Sequence, residues 1–268
     1  MSAAQGGGGG FGPGVPELQA RFRAYTAPFL DEAGDGRPNV QLKIDHTMRV
    51  FELAARIAEE ERFSPEEAYL ARVGGLFHDT GRFPQYRGWG VFNDAASANH
   101  ARLGVRALVR ENLLKGLTRR RRGLVLGAVA LHNRRSLPPN LPPLLDRTAR
   151  AVRDADKLDI FPVMLAHLDG SRPPNKVVTL GITPHPDNYT PSMLGHIEAG
   201  RIAPYAEMRW HNDFKLLVLS WIYDINFRAS MRLLHERGHV EAVMRTLPRT
   251  PELDRVRGRI RKDLAARL

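Results

Sequence analysis

The chain contains no cysteine. That absence excludes disulfides and every thiolate-held metal site, so a bound metal has to be carried by nitrogen and oxygen donors. It also fits a reducing compartment. Aromatic residues are few, 7% of the 268, and none interleaves with the arginine run Arg119 to Arg122, which argues against a base-stacking surface for nucleic acid there. No run of about eighteen apolar residues occurs, so nothing reads as a membrane span. The longest candidate, Leu216 to Ile222, stops short of Asp224 and Asn226. The first fifteen residues, with glycine from Gly6 to Gly10, lack the charged and apolar regions of a signal peptide and read as a flexible tail. These absences lead us to expect a cytoplasmic protein that does not engage membranes.

Negative charge is also in short supply. Against 40 Lys and Arg stand 29 Asp and Glu, a net charge of +11 and a pI near 10.5. Such a balance favours anionic partners: nucleotides, phosphorylated metabolites or nucleic acid. The arginines are dispersed apart from Arg119 to Arg122, a run that reads as a solvated helix end. A small anionic substrate, a nucleotide foremost, is therefore the expected partner, and nucleic acid the weaker one. The oligomeric state is not legible.

What is present centres on Val73 to Phe83, an apolar segment carrying His78 and Asp79 side by side and Gly81 two residues later. Burying a carboxylate and an imidazole together is costly unless something compensates them. A bound cation does so by turning both into ligands, and a salt-bridged or capping pair is the plainer alternative.

The remaining pattern is helical almost throughout. Pro16 to Phe29 reads as a short helix. Asn39 to Arg62 places Val50, Leu53, Ala54, Ile57 and Ala58 on one face, with His46 one turn earlier on the same side. Ser64-Pro65-Glu66-Glu67 is a helix start with a capping-box spacing. The helix it opens runs to His78 and Asp79, with Gly81 as its terminator. Phe83 to Phe92 reads as a loop. Helices follow over 93–112, carrying His100, over 119–133, ending at His132, and over 144–168, carrying Asp156. Lys176 to Gly181 reads as a short strand, Asn212 to His235 as one long amphipathic helix, and the tail from Val240 as basic helix. The expected division is a Gly-rich tail over 1–15, a helical core over 16–168, and an irregular segment with C-terminal helices over 169–268.

His46, His78-Asp79, His100, His132 and Asp156 lie on successive helices, each at an end or on a buried face. They can converge only if those helices pack as a bundle with the site in its core. Four imidazoles and two carboxylates are too many for one ion and suit two, about 3.5–4 Å apart and bridged by a carboxylate. An all-structural reading requires six buried polar groups to find separate partners.

This ordered set resembles the HD-domain superfamily of metal-dependent phosphohydrolases. The likeness rests on His46 with Arg49-Val50, His78-Asp79-Thr80-Gly81-Arg82 and Ala155-Asp156-Lys157-Leu158, and covers about Gln41 to His167. The stretch from Asn212 to Phe227 is similar to the tail of a bacterial subgroup. The resemblance implies an all-α HD helical bundle with a C-terminal helical extension, and two divalent ions drawn from Fe, Mn, Zn, Co or Ni. His46, His78, Asp79 and Asp156 would hold the first ion, and Asp79 would bridge to a second held by His100 and His132. The cyclic-dinucleotide branch has a His-His pair where this chain has His132-Asn133, and a Gly-Tyr-Pro loop that is absent here.

The expected activity is hydrolysis of a phosphoester or phosphoanhydride of a nucleotide or small metabolite by metal-activated water. Asp79, Arg82 and Lys157 are the expected catalytic residues, the latter two as cations facing the phosphate. The alternatives are a diiron oxygenase of the same superfamily and a nucleotide- or RNA-binding module with an inactive site.

Overall fold

The computed structural model describes residues 10–168 and 175–268. It is all-α: the described residues form twelve α-helices and a few 3-10 turns, and their β pairing is confined to one isolated bridge, Thr183 with Trp210. Among them no helix is long and apolar enough to cross a membrane. The expected Gly-rich tail falls largely on residues 1–9, outside the described residues. Residues 10–14 are held, because Tyr69 donates to the Pro13 carbonyl and Arg121 to those of Gly10 and Phe11.

The chain divides into two compact units, residues 1–90 with 94–152, and residues 91–93 with 153–268. The first contains α1 (Val15–Asp31), α2 (Arg37–Glu60), α3 (Pro65–Phe77), α4 (Arg82–Trp89), α5 (His100–Arg110), α6 (Arg119–Leu131) and the start of α7 (Pro143–Leu168). Its core is aliphatic and aromatic, with Phe22 meeting Phe77 and Phe83 edge to face. The Ser64 capping box that opens α3 is complete: Ser64 Oγ accepts from Glu67 N and Glu67 accepts from Ser64 N. Close approach explains a glycine in the central stretch. A Cβ on Gly75 would lie 3.2 Å from Ala54 Cβ and 3.3 Å from the Val50 carbonyl oxygen, so α3 can settle onto α2 at this depth only without a side chain there.

Two expectations in this unit change. α3 ends at Phe77, and residues 78–81 form a turn. The segment expected as a loop holds helix α4 instead. Pro84 falls within its first turn, where a missing N–H costs nothing, and Gly90 closes it in the left-handed conformation at φ 66°.

The second unit contains the rest of α7, then α8 (Pro191–Glu198), α9 (His211–Ser220), α10 (Arg228–Glu236), α11 (His239–Arg245) and α12 (Pro251–Ala265). The long helix expected over 212–235 is broken into α9, a 3-10 turn over Trp221–Asp224, and α10. The break has a partner on α7. The buried Asp154 carboxylate accepts from the backbone N–H groups of Asn226 and Phe227 and from Asn226 Nδ2, at 2.7–3.0 Å. The strand expected over 176–181 is a set of turns. Asn175 organises them: its Oδ1 accepts from Val177 N and its carbonyl from Thr179 N and Oγ1, the local bonding by which Asn draws a chain away from a ladder.

Candidate metal centre

Each histidine of the set is delivered by a helix end or a buried helix face. His46 lies on α2, His78 and Asp79 directly follow α3, His100 is the first residue of α5, and His132 directly follows α6. All five are 0–4% exposed. Asp156 lies on α7, one turn beyond Val152.

Asp79 is the hub. Its Oδ1 faces Nε2 of His100 and His132 at 3.5 and 3.7 Å. Its Oδ2 faces Nε2 of His46 and His78 at 3.6 and 3.7 Å. One carboxylate therefore offers one oxygen to each histidine pair. The ligand atoms of Asp79, His100 and His132 all lie within 4.8 Å of one another.

The tautomers decide what these nitrogens can do. His78 Nδ1 lies 2.7 Å from the Gly75 carbonyl and His132 Nδ1 2.7 Å from that of Val129. A carbonyl only accepts, so both Nδ1 atoms are donors, and in the neutral ring, the form that binds a metal, Nε2 then carries the lone pair. His100 Nδ1 is 2.8 Å from both Asp94 oxygens, and the same assignment follows. Yet His100 Nε2 and His132 Nε2 are 2.9 Å apart, and His46 and His78 Nε2 3.3 Å apart. Two lone pairs at 2.9 Å with no proton between them repel. A divalent cation bound by both relieves this, and a carboxylate or carbonyl on the far ring nitrogen is what a metal-ligating histidine has. The donor set fits a divalent metal of the Fe, Mn, Zn, Co or Ni type.

The electrostatics agree. Burial pushes the His100 imidazole down to about 3 and the nearby Arg82 pushes the same way, against the opposing hydrogen bond that His100 donates to Asp94. His100 is thus neutral. Burial alone would raise the Asp79 carboxyl, but Lys43, His78, His132 and Arg82 outweigh it and hold it well below the usual carboxylate range.

Residues 44–160 match the family described as HD domain, while no curated protein and no solved structure matches the chain. This stretch is an HD domain. Most HD domains are metal-dependent phosphohydrolases, and the buried His-Asp cluster of this one could hold metal.

Arg82 lies beside the HD centre. Its Nε is 3.5 Å from Asp79 Oδ1, and its Nη1 donates to Gln85 Oε1 at 2.8 Å and Asp94 Oδ1 at 3.1 Å. Lys157 follows Asp156 on α7, but its ammonium is engaged by Asp224 at 2.8 Å, an oxygen that Arg153 shares. Two residues beside the centre escaped the sequence reading. Lys43 donates to Asp79 Oδ2 at 2.8 Å, and its place one turn before His46 was a usable signal. Asp94 orients His100 and accepts from Gln85, Arg82 and Asn133. It comes from a 3-10 turn over Asp94–Ala96, for which no periodicity exists.

Proposed function

We propose that the protein is a phosphohydrolase in which His46, His78, Asp79 and Asp156 hold one divalent ion and Asp79, His100 and His132 a second. The observation that carries this reading is the charge around Asp79. Asp79 and Asp94 are two carboxylates, and Lys43 and Arg82 already balance them. Two divalent ions would then add more positive charge than the one further carboxylate of the ligand set, Asp156, offsets. An anion is required to complete the centre, and a phosphate ester supplies it. Bound divalent ions would supply a water of lowered pKa and polarise the phosphoryl oxygens. The chain's own part is to fix the ligand tautomers, exclude bulk water and present cations. Arg82, with its guanidinium held by Gln85 and Asp94, faces the same region as Asp79 and is the first cation for the phosphate, with Lys157 a second candidate. The net charge of +11 draws a small anionic substrate, a nucleotide or phosphorylated metabolite.

The test begins with protein purified without chelator, its metals identified, and a panel of nucleotides and phosphoesters assayed with each metal. Asp79→Ala should lose both bound metal and turnover. Turnover retained by that variant excludes the proposed centre. Two tightly held irons with substrate-dependent oxygen uptake would point instead to oxygenase chemistry.

A further inference from the structure

Lys43 sits on α2 one turn before His46, so the two side chains leave the same helix face. Its side chain is 14% exposed and that of Asp79 is 4% exposed. Its ammonium rests on Oδ2, the oxygen that also faces His46 and His78. Lys43 therefore places a monovalent cation on the atom which that histidine pair offers to a divalent one. Two cations on one carboxylate oxygen repel strongly where water is scarce. The two cations beside Asp79 differ in freedom. Arg82 is pinned by Gln85 and Asp94, whereas a lysine ammonium on a flexible four-carbon stem can change partners without moving the backbone.

We propose that Lys43 is a further substrate-binding cation of the centre beside Arg82, resting on Asp79 until a divalent ion takes that oxygen and then turning to the substrate's phosphoryl group. The inference rests on the phosphohydrolase reading above. It assigns Lys43 two effects of opposite sign: it competes with the metal and cooperates with the anion. A lysine that merely oriented Asp79 as a ligand would do the reverse for the metal, since losing such a partner weakens metal binding by about 10- to 100-fold.

The probes are Mn²⁺ and inorganic phosphate, titrated calorimetrically into the chelator-stripped full chain. Lys43→Met should bind Mn²⁺ about tenfold tighter than wild type, and the Mn²⁺-loaded variant should bind phosphate at least about tenfold more weakly. Weaker or unchanged Mn²⁺ affinity overturns the proposal, as does unchanged phosphate affinity. Amine acetylation read by mass spectrometry tests the wild-type chain directly, even if the variant does not fold. Lys43 should become more reactive on Mn²⁺ loading and less reactive when phosphate is added, and indifference to Mn²⁺ overturns the proposal. The two readings fail separately. A chain that turns over no phosphoester yet shows tighter Mn²⁺ binding in Lys43→Met loses the hydrolase reading and keeps the metal competition. A chain that hydrolyses nucleotides but whose variant binds Mn²⁺ more weakly keeps the hydrolase reading and loses this one.

Discussion

His100 is neutral in the folded chain because water is excluded from it and Arg82 is near. In the unfolded chain it titrates normally, near 6.5. The folded value, about 3, lies below the unfolded one. Between those two values the unfolded state binds a proton that the folded state refuses, so stability falls as pH falls. The contribution is fully present above pH 6.5 and is lost progressively down to pH 3. Metal-free protein should therefore lose about 1.4 kcal/mol per pH unit from this residue over the steep part of that window. Urea unfolding in chelator at pH 7, 6, 5 and 4 measures it, and His100→Gln should flatten that limb. A wild-type profile as flat as the variant's would mean that His100 is not buried in neutral form. Asp94 adds a separate loss at lower pH. Burial opposes its ionisation, but the hydrogen bond from His100 and the Arg82 charge bring the carboxyl down to about 2, so its contribution disappears between the ordinary carboxylate range and that value.

Gly81 joins the residue scale to that of the element. The sequence suggests a helix-terminating glycine, yet Gly81 caps the start of α4 with φ −75°, a value any residue adopts. Its real constraint is space: a Cβ there would overlap the His100 carbonyl oxygen and the Gly104 amide nitrogen, both backbone atoms of α5. Backbone cannot yield as a side chain end can. Gly81→Ala should destabilise the fold by about 3 kcal/mol and, by displacing the first turn of α5, weaken metal binding through His100. Thermal melting and metal stoichiometry read both effects, and a variant with unchanged melting would contradict the close approach. The same contrast shows which elements could be read in advance. α2 and α3 were legible because an apolar stripe and a capping box are local signals. α4 was hidden by Pro84, Gly88 and Gly90, which mark loops in general and here fall where a short helix tolerates them. The break between α9 and α10 was hidden because Asp154, some seventy residues away, stabilises it. The site divides the same way. Metal-competent residues on buried faces advertise themselves, whereas Lys43 and Asp94 resemble any surface charge until the fold sets them against Asp79 and His100.

On the scale of the whole molecule, the candidate ligands extend from His46 to Asp156, and an unfolded chain cannot keep them together. Metal binding and folding are therefore linked. An ion that binds only the folded state adds stability that grows with the logarithm of its concentration, about 2.7 kcal/mol at a hundred times its dissociation constant. For a chain of this length that should raise the melting temperature by roughly 5–10 °C. Scanning calorimetry of chelator-stripped protein across a Mn²⁺ series should show that rise, and Asp79→Ala should abolish it. A surface-bound ion predicts otherwise, because removing one buried carboxylate would leave the shift intact. Asp79 is the residue to change, since each of its oxygens faces a different histidine pair. Losing it disconnects both halves of the centre at once. His132→Ala leaves Oδ2 and the His46–His78 pair in place and should retain part of the shift. Equal loss in the two variants would show that the halves bind as one unit, and no loss in either would remove the metal centre from the account of this fold.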